Sequence, residues 1–247
     1  APDRGHAVSA TECARSAQTT TARKMHRRVG MKRVLKWLSV ALLVLLVLPP
    51  LVWVLGVRHA AMSWGASATE CSQPLAGDEL IPNPERQTTR GIFIAAAPEA
   101  VFPWVAQMGA GRAAFYSHDW FETNLVGCPL VNGERIVEAW QTKPGDIVRM
   151  CPEGSGPPMV YVVKEVTPPS AWVIAIEDKG APVTTWAFDL RREGTGTRLL
   201  VRNRAGVAQF WQELIEPGVA LMEHGMLEGL KARAERSRPD AVSQRTP

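Results

Sequence analysis

The fold is decided by the stretch AWVIAIEDKGAPVTTWAFDL at residues 171–190. It contains two runs rich in β-branched and aromatic residues, Ala171–Glu177 and Thr184–Leu190, separated by the turn signal Lys179-Gly-Ala-Pro182. In the second run Trp, Phe and Leu occupy alternate positions, which is the two-residue period of a strand with one buried face. Two such runs on either side of a short turn predict an antiparallel hairpin.

The same pattern continues on both sides of this hairpin, so the middle of the chain is predicted to form a meander of antiparallel strands. In the last run, Leu199 and Val201 share one face. The opposite face of that run carries Arg198, Arg202 and Arg204. The further strand candidates are Thr88–Ala95, Asp146–Met150, Met159–Val166 and Thr197–Asn203.

Three helices are predicted around the strands. The first begins at Pro98, a favoured first helical residue, and ends at Gly109, with Pro103 expected to bend it. A shorter helix covers Ser117–Leu125, and a long closing helix runs from about Pro217 to Arg236. This order of elements predicts an α+β domain with an antiparallel sheet around the last helix. The apolar stripe of that helix is Val219, Met222, Met226 and Leu230.

An apolar run, Trp37–Val57, precedes this domain; it contains no charged side chain and is followed by Arg58. About 20 apolar residues suffice to cross a hydrocarbon core of about 30 Å, so the run predicts one transmembrane helix. The residues before it are rich in Lys and Arg, which predicts a cytoplasmic N-terminus and an exported C-terminal domain. Two alternatives are a cleaved signal peptide, with Leu38–Leu48 as apolar core and Ala66-Ser-Ala68 as cleavage site, and a buried helix of a soluble domain.

The charge is distributed unevenly along the chain. Residues 1–36 contain nine Lys/Arg and two Asp/Glu, a net charge of +7, whereas the remainder contains 19 and 22, a net charge of −3. Such a tail favours contact with anionic lipid headgroups, and the folded part is not expected to bind nucleic acid. Met25 and Met31 are candidate natural starts. The predicted organisation is a disordered basic tail at 1–33, a transmembrane helix at 34–57, a linker at 58–76, the α+β domain at 77–236 and a disordered tail at 237–247.

The chain has four cysteines, at positions 13, 71, 128 and 151, without the paired spacing of a zinc site. No metal or other cofactor is therefore predicted. Cys128 and Cys151 both lie near loop signals, and an exported domain would allow them to form a disulfide. Two buried free thiols are equally compatible with the sequence.

Five stretches carry a family resemblance: Gly77-Asp-Glu-Leu-Ile-Pro82, the strand Arg90–Ile94, Ala97-Pro-Glu-Ala-Val-Phe-Pro-Trp-Val105, Gln107-Met-Gly-Ala-Gly-Arg112 and Phe115-Tyr-Ser-His-Asp-Trp120. Also matching are Pro144-Gly-Asp146, Pro168-Pro169 and Trp186-Ala-Phe188. With the order of elements, they resemble the helix-grip superfamily, which includes START-type lipid-transfer domains, pollen-allergen-type proteins and polyketide cyclase/dehydrase-like proteins (the SRPBCC group). The resemblance covers residues about 77–236 and is to a bacterial subgroup that often carries N-terminal membrane segments. It implies a curved sheet that grips the last helix, with a cavity between them for an apolar ligand.

The densest polar group of the predicted domain comprises Tyr116, His118, Asp119 and Glu122. Asp119 and Glu122 are three residues apart on one helical face, where burial would separate their pKa values for acid–base chemistry. The alternative is structural, with Asp119 bracing its helix and Glu122 facing water. Arg149, on a strand, either projects into the cavity toward Asp119 or faces solvent. The candidate catalytic residues are Asp119, Tyr116 and Arg149.

Several aromatic, apolar and acidic side chains are candidates to line this cavity. The tryptophans among them are equally compatible with core packing, and a cavity wall satisfies both interpretations. Glu223 and His224 on the closing helix are predicted at the rim or in solvent. The predicted ligand-binding residues are Tyr116, Trp120, Glu122, Trp140, Trp186, Met222 and Met226.

Three functional hypotheses follow. The leading one is a membrane-anchored domain that binds a hydrophobic small molecule or lipid, without chemistry. The second is a cyclase- or dehydratase-type enzyme that acts on a polyketide-like or lipid substrate. The third is an envelope interaction protein whose cavity is filled by its own side chains. Under the leading hypothesis the partners are the membrane and an apolar ligand, and the oligomeric state stays open.

Overall fold

The computed structural model describes residues 36–208 and 210–237. The tails predicted to be disordered, 1–33 and 237–247, lie outside the described residues except for residue 237.

The chain divides into two compact units, and the first ends at Val57. Its described part belongs to α1, a helix that runs over Lys36–Met62 and includes a π-helical turn at Trp53–Val57. By length and composition α1 is the one helix of the described residues that is apolar enough to cross a membrane, with a hydropathy of 2.7 in its most apolar window. Its last residues, Arg58–Met62, belong to the second unit.

The second unit is built on a six-stranded antiparallel sheet, as the alternating runs predict. The strands are β1 (Arg86–Ile94), β2 (Ile147–Arg149), β3 (Val160–Thr167), β4 (Ala171–Asp178), β5 (Ala181–Glu193) and β6 (Gly196–Ala205). Their spatial order is β1-β6-β5-β4-β3-β2, so β2 to β6 form a meander and β1 pairs with the last strand. Bulges at Lys164 in β3 and at Val183 in β5 interrupt the register, and bulges bend a sheet and increase its twist.

The helices of the second unit flank this sheet. They are α2 (Ala68–Ser72), α3 (Pro98–Ala106), α4 (Asp119–Phe121), which continues as a π-helical turn at Glu122–Val126, and α5 (Phe210–Arg236). Pro103, which is expected from the sequence to bend the first predicted helix, lies inside α3. The long helix α5 begins earlier than Pro217, which lies within it. The turn before Pro217 is held from outside, because the Glu213 carboxylate lies 2.7 Å from Arg58 and the Glu216 carboxylate lies 2.6 Å from Arg90.

Residues 58–76, predicted as a linker, instead pack on the domain. Helix α2 has a capping box in which Ser67 and Glu70 exchange side chain-to-backbone hydrogen bonds. The Glu70 carboxylate also pairs with Arg198 on β6 at 2.7 Å, and the Arg202 guanidinium donates to the Glu70 carbonyl at 2.7 Å. The arginine face predicted for β6 therefore holds this segment. Local sequence patterns do not indicate it, because the partners are 128 residues apart.

The core lies on the other face of the sheet, between the strands, α3 and α5. In β1, Ile92 and Ile94 are buried while Phe93 is exposed, as the alternation predicts. The largest fully buried apolar side chains include Met108, Trp172, Phe188, Leu199, Leu227 and Leu230. A curved antiparallel sheet wrapped around a long C-terminal helix is the helix-grip fold, so the predicted α+β fold is confirmed.

Candidate ligand-binding cavity

A cavity of about 560 Å³ lies between the sheet and the first half of α5. Volumes of roughly 300–1,000 Å³ are typical of small-molecule sites. Side chains of β3, β5 and β6 line one side of the cavity, and α5 lines the opposite side from Trp211 to Met226. The π-helical turn after α4 and the loops around Cys128 and Cys151 complete the wall.

An aromatic cluster forms the inner end of the cavity. The Trp186 ring on β5 is stacked on Phe115 with centroids 5.9 Å apart, and Tyr161 on β3 lies 6.0 Å away on another side. All three side chains are buried and line the cavity. Burial raises the pKa of the Tyr161 hydroxyl, so this surface stays uncharged.

Beside this cluster, a buried ion network joins β1 to α5. Arg90, 1% exposed, pairs with Glu223, and its second terminal nitrogen lies 2.6 Å from Glu216. The Oε1 atom of Glu223 also accepts hydrogen bonds from Trp186 Nε1 and from Asn203 Nδ2, both at 2.9 Å. Every oxygen of the Glu223 carboxylate therefore has a partner, and the network fixes the orientation of the Trp186 indole.

Glu122 is a second carboxyl group in the cavity wall, and it is not satisfied in the same way. The side chain is 5% exposed, and its Oε2 atom has no hydrogen-bond partner among the described residues. Burial raises the pKa of Glu122, and the negative charge of Asp119 raises it further, against a smaller opposite effect of Ser117. A buried carboxyl oxygen without a partner costs about 1–3 kcal/mol.

The mouth of the cavity is surrounded by exposed apolar side chains. Trp211, Leu214 and Ile215 on α5 are 50%, 66% and 48% exposed, respectively, and all line the opening. Leu125 on the π-helical turn and Met159 before β3 face them with 64% and 37% exposure. An apolar opening lets an apolar molecule enter without crossing a polar rim.

Cys128 and Cys151 form a disulfide in the cavity wall, the pairing that the sequence leaves open. Their Cα atoms are 5.1 Å apart, within the usual span of a disulfide. Gly156 lies against the bond with a φ of +54°, and a Cβ atom there would overlap both sulfur atoms. Only glycine suits this position, which explains the glycine-rich turn between the second cysteine and β3.

The predicted ligand-binding residues divide into two groups. Glu122, Trp186, Met222 and Met226 line the cavity, which leaves their predicted role open to test. The other three lie elsewhere: Tyr116 is buried in the core, Trp120 is 69% exposed, and Trp140 packs on the outside of the core. In the case of Trp120, the π-helical turn begins just after it and changes the helical register, so Phe121 and Glu122 face inward instead.

The candidate catalytic residues are not brought together at the cavity. The Tyr116 hydroxyl donates to the Trp104 carbonyl and accepts from Gln107 Nε2, both at 2.9 Å, and burial raises its pKa. Asp119 lies on the outer side of α4, where it accepts a hydrogen bond from Asn132. Arg149 is exposed on β2. None of the three lines the cavity.

Three residues that line the cavity but are not among the predicted ligand-binding residues are Glu223, Asn203 and Tyr161. Glu223 is 4% exposed instead of lying at the rim, because Arg90 neutralises its charge in the interior. Its spacing from Met226 and Leu230 places it on the buried stripe of α5, which is a signal of burial. Asn203 follows Leu199 and Val201 at alternate positions of β6, so it lies on the same face as these apolar residues. A polar residue on an apolar face is a signal of a buried polar contact.

No group of three His, Cys, Asp or Glu side chains in the described part of the chain is arranged to hold a metal ion. His224 packs its ring against Trp64 with centroids 4.3 Å apart, which occupies it structurally.

No protein-family model matches the sequence, and no curated protein matches it either. Among solved structures, the chain is similar to CalC, a self-sacrificing resistance protein from Micromonospora echinospora, at 13% identity and a TM-score of 0.43 over 63% of this chain and 97% of that one. It is also similar to protein NE0264 from Nitrosomonas europaea, at 14% identity and a TM-score of 0.41 over 67% and 100% of the two chains. A third is protein MLL2253 from Mesorhizobium loti, at 14% identity and a TM-score of 0.40 over 62% and 99%. With TM-scores this low, the fold assignment rests on the strand order and the long helix of the chain itself.

Proposed function

We propose that this chain is a membrane-anchored binding domain that holds a hydrophobic small molecule or lipid in the cavity beneath α5. The observation that carries the proposal is the cavity itself, with about 560 Å³ of space, mainly apolar walls and an apolar mouth. A space of this size with apolar walls matches the dimensions and lining that are typical of small-molecule sites. An interaction protein that filled its cavity with its own side chains would have no such volume.

The predicted anchor suits this role. Helix α1 has the length and composition of a membrane span, and the basic residues before it favour a cytoplasmic N-terminus. The Cys128–Cys151 disulfide supports an exported position for the domain, because disulfides persist in oxidising compartments. A tether keeps the domain at the bilayer, where lipid-like ligands reach a high effective concentration.

Binding is favoured over turnover by the state of the candidate catalytic groups. The Tyr116 hydroxyl is engaged on both sides within the core, and Arg149 is exposed away from the cavity wall. The carboxyl groups that do line the cavity, Glu122 and Glu223, differ in their partners, and Glu223 is committed to Arg90, Trp186 and Asn203.

The test is to identify what the full chain retains when it is extracted from membranes with a polymer instead of a detergent. Bound small molecules are then extracted and identified by mass spectrometry. Val219→Trp narrows the cavity and is expected to remove the retained molecule, whereas Leu221→Trp, two positions along on the exposed side of α5, should not. The same set of molecules from wild type and Val219→Trp would contradict the proposal.

The proposed topology has its own test. A reporter fused after Pro247 should be active on the exported side of the membrane, because the basic flank is expected to hold the N-terminus in the cytoplasm. Reporter activity in the cytoplasm alone would contradict the anchor orientation.

A further inference from the structure

We propose that the ligand is a neutral, hydroxyl-bearing apolar molecule whose hydroxyl group binds the Glu122 carboxyl. This inference rests on the proposed binding function and names the class of ligand. The starting observation is a buried carboxyl oxygen without a hydrogen-bond partner in the wall of the cavity, Glu122 Oε2. The side chain that carries it is 95% buried, since its exposed fraction is 5%.

The other carboxyl group of the cavity and the Ser117 hydroxyl already have partners within the protein. Both oxygens of Glu223 are occupied by Arg90, Trp186 and Asn203. The Ser117 hydroxyl donates its proton to the Met222 carbonyl at 2.8 Å. Of the two carboxyl groups, Glu122 is therefore the one that a ligand would satisfy on entry, and a ligand that lacks a polar atom would leave its Oε2 atom unpaired.

The charge of the cavity excludes one class of ligand. Its described lining includes two acidic residues, Glu122 and Glu223, and no Lys, Arg or His. The nearest cation of the network, Arg90, is shared between Glu223 and Glu216 and brings no excess positive charge. A fatty-acid carboxylate or a phosphate would therefore be buried beside carboxyl groups without a counterion, which is strongly unfavourable.

The remaining classes differ in the protonation state that they require of Glu122. An ammonium group pairs only with the ionised carboxylate, and a carbonyl pairs only with the protonated acid. A hydroxyl both donates and accepts, so it satisfies Glu122 in either state. Because the rest of the wall is apolar, the body of the molecule is hydrocarbon, with its polar group at the Glu122 end.

The experiment uses the full chain in phosphatidylcholine nanodiscs and three photoactivatable probes with the same ten-carbon diazirine chain. The probes end in a hydroxyl, an amine or a carboxylate. Labelling of cavity peptides that contain Trp186 or Met222 is measured by mass spectrometry and normalised to labelling of the bilayer lipid. Unlabelled decan-1-ol must displace the hydroxyl probe.

The hydroxyl probe is expected to label the cavity at least about tenfold more strongly than the carboxylate probe, because the carboxylate would be buried beside carboxyl groups without a counterion. Glu122→Leu should reduce hydroxyl labelling by about tenfold, whereas Glu122→Gln, which also donates and accepts, should retain it within about threefold. Glu228→Leu, on the exposed side of α5, is the matched control and should change nothing. Since Glu122→Leu removes an unsatisfied carboxyl, its thermal midpoint should not fall below that of wild type.

Several results would overturn this inference while leaving the binding function intact. One is carboxylate labelling equal to hydroxyl labelling in the wild type, a comparison that does not depend on any variant folding. Another is a result in which the amine probe labels the wild-type cavity most strongly and Glu122→Gln abolishes that labelling. That result would assign a cationic ligand. Unchanged hydroxyl labelling in a folded Glu122→Leu would also overturn it. If none of the three probes labels the wild-type cavity, it is the proposed binding function that fails.

Discussion

The two halves of α5 lie on the same sheet, and their surroundings differ. In the second half, Leu227, Leu230 and Ala234 are completely buried. The segment around Tyr116 lies so close to this half that a Cβ atom at Gly229 would overlap the Tyr116 carbonyl oxygen. This half is held by close apolar packing.

The first half borders the cavity and is held differently. Trp211, Leu214 and Ile215 leave about half of their surface or more exposed, so apolar burial contributes little there. Instead, Glu216 and Glu223 pair with the buried Arg90 of β1. Charge pairs can therefore position a helix over an open cavity. Apolar packing alone would have to fill that cavity with side chains.

The strongest way to break this arrangement is Arg90→Met. The substitution leaves the buried Glu223 carboxylate without its charged partner and Glu216 with Arg86 alone, so the free energy of unfolding is expected to fall by about 3–5 kcal/mol. Urea denaturation followed by tryptophan fluorescence measures the change. Arg191→Met removes a 43% exposed ion pair with Asp189 and should cost no more than about 1 kcal/mol. Equal costs for the two variants would show that the buried network does not hold the first half.

A matched pair of truncations compares the two halves directly. Leu230→Ala creates a cavity in the packed half and should lower the free energy of unfolding by about 2–5 kcal/mol. Leu214→Ala, at a 66% exposed position in the first half, should change it by about 0.5 kcal/mol or less. Similar losses at both positions, measured by urea denaturation, would contradict the distinction between the halves.

The disulfide offers a third test, since it closes the wall that faces the first half. Its cysteines are 23 residues apart, and a crosslink of that length stabilises by about 3 kcal/mol in the chain-entropy model. The double variant Cys128→Ser/Cys151→Ser should lose that amount, and a thiol reductant should produce the same loss in wild type only. Cys71→Ser, at the free cysteine of the described residues, is the control. If the reductant also lowered the stability of the double variant, the loss in wild type would not come from the Cys128–Cys151 disulfide.

The smallest expected effect lies away from both halves, at Glu70 on the opposite face of the sheet. The hydrogen bond from Arg198 lowers the pKa of Glu70 to about 2, against an opposing effect of burial. A carboxylate with a lowered folded pKa contributes its stability above its unfolded pKa and loses it as the pH falls toward the folded value. The difference between wild type and Glu70→Gln should therefore be constant above about pH 5, at no more than about 1 kcal/mol, and should decline between about pH 4.5 and 2. Thermal midpoints across this range would measure it, and a difference that grows on acidification would contradict the sign.

Much of the fold follows from local sequence patterns. The alternation of Trp186, Phe188 and Leu190 predicts β5 and its buried face, and the glycine- and proline-rich turns separate the strands correctly. These features depend on residues within a few positions of one another, which is why periodicity detects them. The start of α5 and the packing of residues 58–76 depend on arginines far away in the sequence, so periodicity does not detect them.

The cavity was less accessible to prediction than the fold. Trp186, Met222 and Met226 lie on apolar faces that a sequence shows, and they line the cavity. Trp120 faces outward because a π-helical turn changes the register next to it, and nothing in an apolar pattern predicts that turn. The burial of Glu223 depends on Arg90, 133 residues earlier in the chain.

The packing of residues 61–71 has a consequence for the solubility of the domain. Strand β1 is at one edge of the sheet, and the unpaired backbone groups of an edge strand can recruit strands from other molecules. Here the Gly91 amide donates to the Trp64 carbonyl at 3.0 Å, and the Gln87 side chain donates to the Cys71 carbonyl at 2.9 Å, so this edge is covered. The opposite edge, β2, is three residues long and offers little template. Copies of the domain crowded on one surface are thereby protected against edge-to-edge aggregation.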